Sequence, residues 1–166
     1  ILNTKYKIVG NLPFYLTAPV IRQFLEGVEI RPQHMVLVVQ KEVGQRICAR
    51  PPKMSILSVS VQIYAQPEII SYLSKKSFWP QPKVDSTIIK LKVKKEKLKI
   101  DRELFFRIVK TGFSQPRKQL INNLSKGLKM ERGRVENWLL KNNIQPTQRA
   151  ETLNINDWLK LTKSVK

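Results

Sequence analysis

Acidic residues, cysteine and histidine are all scarce in this sequence. Twelve Asp and Glu stand against 31 Lys and Arg among 166 residues, a formal net charge of +19. Such an excess excludes a self-neutralising surface and makes a polyanion the first expected partner. The single cysteine, Cys48, excludes an internal disulfide, and with the one histidine, His34, it does not make a metal cluster. No apolar run approaches the roughly 20 residues that span a bilayer, so an anionic membrane is set aside as the partner. Nothing reads as a secretory leader, and neither solenoid-period repeats nor low-complexity tracts are present. The expectation is a cytoplasmic, metal-free chain. His34, at the head of the strand-like run Met35 to Val39, is read as structural.

What is present suffices for a core, since 42% of the residues are apolar. The length allows one ordinary domain, or an incomplete domain with a small second one. Positive charge is spread evenly, +10 over residues 1–95 and +9 over residues 96–166, so it is not a detachable tail. Residues 5–9 and 35–40 are β-branched runs of the kind expected in strands covered on both faces. Between them Thr17 is placed to cap a helix with Pro19 in its first turn and Val20, Ile21, Phe24 and Leu25 on one face. A short helix is expected over residues 41–49, broken by Arg50-Pro51-Pro52-Lys53. Residues 55–65 fit both periods; helix is favoured because Pro67 then opens a separate strand running to Leu73. Ile89, Leu91 and Val93 alternate with Lys90, Lys92 and Lys94, which predicts a strand with one wet face.

From the lysine-rich stretch at residues 94–99 onward the pattern is helical, and this sets the expected boundary between residues 1–96 and 97–166. Four helices are predicted there. Asp101 caps the first, with Leu104, Phe105, Ile108, Val109 and Phe113 on its face. The second carries Leu120, Ile121, Leu124 and Leu128, and the third Val135, Trp138 and Leu139, closed by Asn142-Asn143. Asn154 caps the fourth, with Asp157 at its third position and Ile155, Trp158, Leu159 and Thr162 inward. The architecture expected is an α/β part followed by a small all-α domain.

Gly10-Asn11-Leu12-Pro13-Phe14-Tyr15 follows the first strand-like run and precedes a helix. An Asn-x-Pro-aromatic turn in that place offers a side-chain carbonyl and a backbone carbonyl to an exocyclic amine, with a ring beside them to stack a base. It suits an extruded adenine. Taken alone, the same tetrapeptide also fits a turn with an aromatic packed beneath it.

Further segments carry a resemblance. Phe78-Trp79-Pro80-Gln81-Pro82-Lys83-Val84-Asp85-Ser86 resembles the Phe-x-Pro-x-Pro-x-Val loop of rRNA adenine N6-dimethyltransferases. Phe113-Ser114-Gln115-Pro116-Arg117-Lys118-Gln119-Leu120 is similar to their Phe-Ser-Gln-Arg-Arg-Lys-x-Leu segment, and Arg149-Ala150-Glu151-Thr152-Leu153 to their Arg-Ala-Glu-x-Leu segment. Gln40 to Arg46 followed by Leu57-Ser58-Val59 completes the series, in order, over nearly the whole chain. The resemblance implies a Rossmann-like methyltransferase sheet and transfer of two methyl groups from S-adenosylmethionine to adjacent adenosines of small-subunit rRNA during ribosome assembly. It further implies that Asn11 and the Leu12 carbonyl orient the amine while Asn11 also touches the reactive end of the cofactor. Pro13 shapes that turn. Phe14 would stack on the adenine, with Phe78 closing its other face. Arg117 and Lys118 are candidates for phosphate contact at the start of a helix, where a solvated face is the competing reading. Lys83, Asp85 and Ser86 are read as a turn and strand entry.

Two departures qualify the match. Pro116 stands where the family carries arginine. The family's glycine-rich loop and acidic ribose ligand are not found in these residues, which predicts a C-terminal part preceded by a further segment and catalytically incomplete alone. Exposed sheet edges in such a part would favour self-association. Two other readings remain: the large-subunit rRNA methyltransferases of the macrolide-resistance type, and a non-catalytic RNA-binding module of ribosome assembly.

Overall fold

A computed structural model of the chain describes residues 5–95 and 99–165. Within them the chain divides into two compact units, residues 5–48 with 60–95 and residues 49–59 with 99–165. The first unit is built on one mixed sheet. Its strands β1 (Lys7–Asn11), β2 (His34–Gln40), β3 (Ala65–Leu73) and β4 (Ser86–Val93) lie in the order β1-β2-β4-β3. β1 and β2 are parallel, with Asn11 opposite Val38, and α1 (Thr17–Glu26) makes the crossover that a parallel pair requires. β2 and β3 both run antiparallel to β4, with Gln40 and Leu73 each opposite Ser86. The carboxyl ends of β1, β2 and β3 therefore share one end of the sheet with the amino end of β4.

Sequence pattern accounts for the strands. Met35, Leu37 and Val39 on β2 are buried and alternate with half-buried neighbours, as in a strand covered on both faces. On β4 the buried Ile89, Leu91 and Val93 alternate with half-buried Lys90 and exposed Lys92, the expected wet face. Lys94 follows, donating Nζ to the Gln62 carbonyl at 2.7 Å, and burial draws its pKa below the ordinary lysine value. Helix α2 (Lys41–Ile47) lies against β2, β4 and β3. A Cβ on its Gly44 would overlap the Thr87 methyl and come within 3.1 Å of Ile89, so glycine permits this close approach.

Several boundaries differ from the sequence expectation; the helix expected over residues 41–49 ends at Ile47 and the one over residues 55–65 spans Ile56–Gln62. β1 runs on through Gly10 and Asn11, because ladder hydrogen bonds are made by backbone and need no apolar side chain. Thr17 is not a cap but the buried first residue of α1, since a 3-10 turn over Phe14–Leu16 feeds directly into the helix. β3 begins at Ala65 instead of Pro67. A proline is tolerated there because β3 is an edge strand and its missing N–H leaves no ladder partner wanting. The ambiguous segment is helical, α3 (Ile56–Gln62). Of the lysine-rich boundary stretch, residues 96–98 lie outside the described residues.

The second unit contains α4 (Arg102–Gly112), α5 (Leu120–Leu128), α6 (Arg132–Lys141) and α7 (Ile155–Ser164). Asp101 accepts from Leu104 N–H at 3.0 Å, and Asn154 with Asp157 forms a reciprocal capping box. Phe105, Ile108, Leu120, Leu124, Leu139 and Trp158 are fully buried between these helices. Trp158 stacks obliquely on Phe113, ring centroids 5.6 Å apart, and its indole edge fills the space beside Gly112. The result is an α/β unit with a small all-α unit.

Candidate functional site

Asn11 ends β1 at the sheet end where three parallel strand termini converge, the place where open α/β sheets hold ligands. Pro13, at φ −52° and ψ 135°, turns the chain, and its carbonyl accepts from Leu16 N–H at 2.9 Å to close the 3-10 turn. The Pro13 carbonyl is thereby engaged. Among the described residues the exposed Asn11 side chain has no hydrogen-bond partner, and no turn bond takes the Leu12 carbonyl. Two acceptors are thus presented in succession. Phe14 beside them is half-buried, while Tyr15 is 79% exposed.

The segment from residue 74 to residue 85 joins β3 to β4 at this same end. Ser74 Oγ accepts from Lys76 N–H at 3.3 Å and starts a 3-10 turn over Lys75–Ser77. Asp85 fastens the segment: its Oδ1 accepts from Lys75 N–H at 3.0 Å and its carbonyl from Lys41 N–H at 3.0 Å. Lys41 Nζ lies 3.8 Å from Asp85 Oδ2 and 5.6 Å from the centre of the Tyr72 ring, so the one acid of the segment is neutralised locally. Phe78 is half-buried and Trp79 fully exposed. The fold therefore brings the Asn11 to Phe14 turn and the Phe78 segment to one end of one sheet.

Arg117 and Lys118 belong to the helical unit. Both are exposed, and they lie in the turn between α4 and α5, ahead of the α5 N-cap Gln119 and not in the helix itself. Proline at position 116 and the buried carboxamide of Asn123, which donates to the carbonyls of Gly112 at 2.7 Å and Gln115 at 3.0 Å, hold this turn outside the helix. No group of three His, Cys, Asp or Glu among the described residues is placed to hold a metal ion, and no helix is long and apolar enough to cross a membrane.

The family model described as ribosomal RNA adenine dimethylase matches residues 2–166. The chain belongs to the ribosomal RNA adenine dimethylase family. Among curated relatives it is 38% identical over 161 residues to the ribosomal RNA small subunit methyltransferase A of Dehalococcoides mccartyi strain BAV1, covering 96% of this chain and 55% of that protein. It is 41% identical over 164 residues to the protein of the same name from Alkaliphilus metalliredigens, covering 96% and 57%. The chain thus spans little more than half the length of these relatives. Its fold is that of a dimethyladenosine transferase from Plasmodium falciparum, with a TM-score of 0.78 at 24% identity, covering 97% of this chain and 66% of that one. The 23S rRNA methyltransferase ErmE is similar too, at a TM-score of 0.74 and 22% identity, covering 99% and 66%.

Within this methyltransferase family fold, some features of the sheet end escaped the sequence pattern. The Asp85 clamp is one, because its partners are backbone amides distant in sequence. Tyr15 and Trp79 are the others. Each follows a half-buried phenylalanine, and the pairs Phe14-Tyr15 and Phe78-Trp79 in otherwise polar or proline-rich turns were the available signal.

Proposed function

We propose that residues 1–166 carry the target-base and RNA-facing parts of an enzyme that dimethylates the N6 of adjacent adenosines in small-subunit rRNA. The observation that carries this reading is the pair of unengaged acceptors, Asn11 side chain and Leu12 carbonyl, at the carboxyl end of β1. An aromatic exocyclic amine is a poor nucleophile because its lone pair is delocalised into the ring. Two acceptors that receive hydrogen bonds from its N–H groups favour the pyramidal geometry in which the lone pair points outward. Phe14 stacks on one face of the extruded adenine, Phe78 closes the other, and Pro13 fixes the turn between the acceptors and Phe14. No covalent enzyme intermediate is required of these residues.

S-adenosylmethionine, when bound, supplies an electrophilic methyl group on a sulfonium centre. The residues present would hold its reactive end only: the exposed Asn11 amide would border that end, whereas none of the six glycines forms a glycine-rich strand-to-helix turn. Residues 1–166 by themselves are then an incomplete catalyst. The division at residues 96 and 97 separates the base site from a helical domain whose Arg117 and Lys118 meet rRNA phosphates. The setting is cytoplasmic ribosome assembly.

Small-subunit rRNA is favoured over large-subunit rRNA because the two curated relatives at 38% and 41% identity are small-subunit enzymes, against 22% for ErmE. The test is methylation of unmodified small-subunit particles by the whole protein, read as N6,N6-dimethyladenosine by mass spectrometry. Product on large-subunit RNA alone would transfer the reading to the other substrate; RNA binding without any product would leave a binding module.

A further inference from the structure

The three tryptophans are placed very differently: Trp158 and Trp138 are 0% and 7% exposed, whereas Trp79 is 98% exposed. Trp79 is not a frayed end, because both feet of its segment are fastened through Asp85 at 3.0 Å, to Lys75 N–H and to Lys41 N–H. Residues 74–84 carry Lys75, Lys76 and Lys83 and no acid. The indole therefore stands in water on a fixed, positively charged segment. Among its chain neighbours Lys76, Ser77, Gln81 and Lys83 are exposed polar or cationic residues, with Val84 42% exposed, so the ring is interleaved with cations and polar groups. A flat exposed ring interleaved with cations is the arrangement that binds unpaired nucleotides: bases stack on the ring and lysines meet the phosphates on either side.

Resting on the reading of this sheet end as a base site, we propose that Trp79 is a stacking platform for a nucleobase neighbouring the target adenosine in a single-stranded stretch of RNA. Lys75, Lys76 and Lys83 meet the phosphates that flank that base. Phe78 and Trp79 then divide the work, the half-buried ring serving the extruded adenine and the exposed ring serving its neighbour. Extrusion of one base leaves the adjoining base without a stacking partner, and an indole on the rim supplies one. Because every base has a π face, this platform adds affinity without strong sequence preference.

The experiment uses the whole protein and the part of its emission that Trp79→Phe removes. A single-stranded ribo-oligonucleotide should quench this component, while inorganic polyphosphate and anionic lipid vesicles should not. Trp79→Ala should weaken oligonucleotide binding about 10-fold or more and Trp79→Phe much less, as expected for removal of one base–aromatic stack. Unchanged emission at saturating RNA, equal quenching by polyphosphate or vesicles, or equal affinity of the Ala variant and the parent would each overturn the proposal while leaving the base-site reading intact. Absence of any RNA binding by the parent protein would overturn both.

Discussion

Asp85 Oδ1 accepts from Lys75 N–H at 3.0 Å, tying the end of the β3–β4 connection to its beginning. Because the Asp85 carbonyl also accepts from Lys41 N–H at 3.0 Å, the same residue ties that connection to the end of β2. The segment that carries Phe78 is thus held at both its ends by Asp85. Asp85→Ala should cost about 1.5–3 kcal/mol at most, the range for a hydrogen bond to a charged group, reduced by its partial exposure. Methyl transfer and RNA affinity should both fall, because the released segment carries Phe78 as well as Trp79 and its lysines, and Asp85→Asn, which keeps an acceptor, should recover most of each. Thermal denaturation and turnover measured on the three proteins check this; a fully active Ala variant would show that Phe78 is positioned without the clamp.

Asn11→Ala should lower methyl transfer far more than RNA binding, because it deletes an acceptor proposed to face the amine and not the phosphates. Deleting one oriented polar group of this kind costs about 10²–10³ in rate. Single-turnover methylation with saturating rRNA reads the effect directly. Parent-like rates would refute the role given to Asn11.

At Phe14 the requirement is a flat ring. Phe14→Ala should lose about 1–3 kcal/mol of base engagement, whereas Phe14→Tyr and Phe14→Trp should keep most of it. Equal activities of the Ala and Tyr variants would leave Phe14 as packing beneath the turn, the reading that the tetrapeptide alone also allows.

Local signals were legible in the sequence and non-local ones were not. Asp101 and the Asn154–Asp157 box announce helix starts because cap and capped amide lie three residues apart, and both appear as expected. Along α7 the buried face is Trp158, Leu161 and Thr162, at helical spacing, while Leu159 is only half-buried; the face expected from the sequence included Leu159 and omitted Leu161. The Asn-x-Pro-aromatic turn after a strand marked Asn11 as a candidate, but its pairing with Val38 is a backbone fact invisible to side-chain pattern. The Asp85 clamp joins residues 41, 75 and 85, and nothing local to any of them signals it.

Arg117→Ala with Lys118→Ala should lower rRNA affinity and flatten its salt dependence. For every phosphate that is no longer neutralised, the slope of log K against log salt falls by roughly 0.7–0.9. Both side chains are exposed, and the turn that carries them is held by the Asn123 carboxamide at 2.7 and 3.0 Å, so folding should be unaffected. Binding measured across a salt series decides: an unchanged slope places both residues on a solvated face.

Gly44 provides a test of how helix packing reaches the site. A Cβ at this position would overlap the Thr87 methyl and come within 3.3 Å of Val39, so Gly44→Ala must push α2 off β4 or displace Thr87. Overpacking of this kind costs about 1–3 kcal/mol, offset in part by the better helix propensity of alanine. Thr87→Ser removes the obstructing methyl and keeps the hydroxyl that donates to the Ser71 carbonyl at 2.7 Å. The double variant Gly44→Ala with Thr87→Ser should therefore be more stable than the sum of the single changes allows, with a coupling of about 0.5–3 kcal/mol. Since α2 begins at Lys41, whose N–H holds the Asp85 carbonyl, Gly44→Ala should also impair methyl transfer, and the second change should restore it. Strict additivity in denaturant unfolding would show that the helix yields elsewhere, and would detach α2 from the positioning of Phe78.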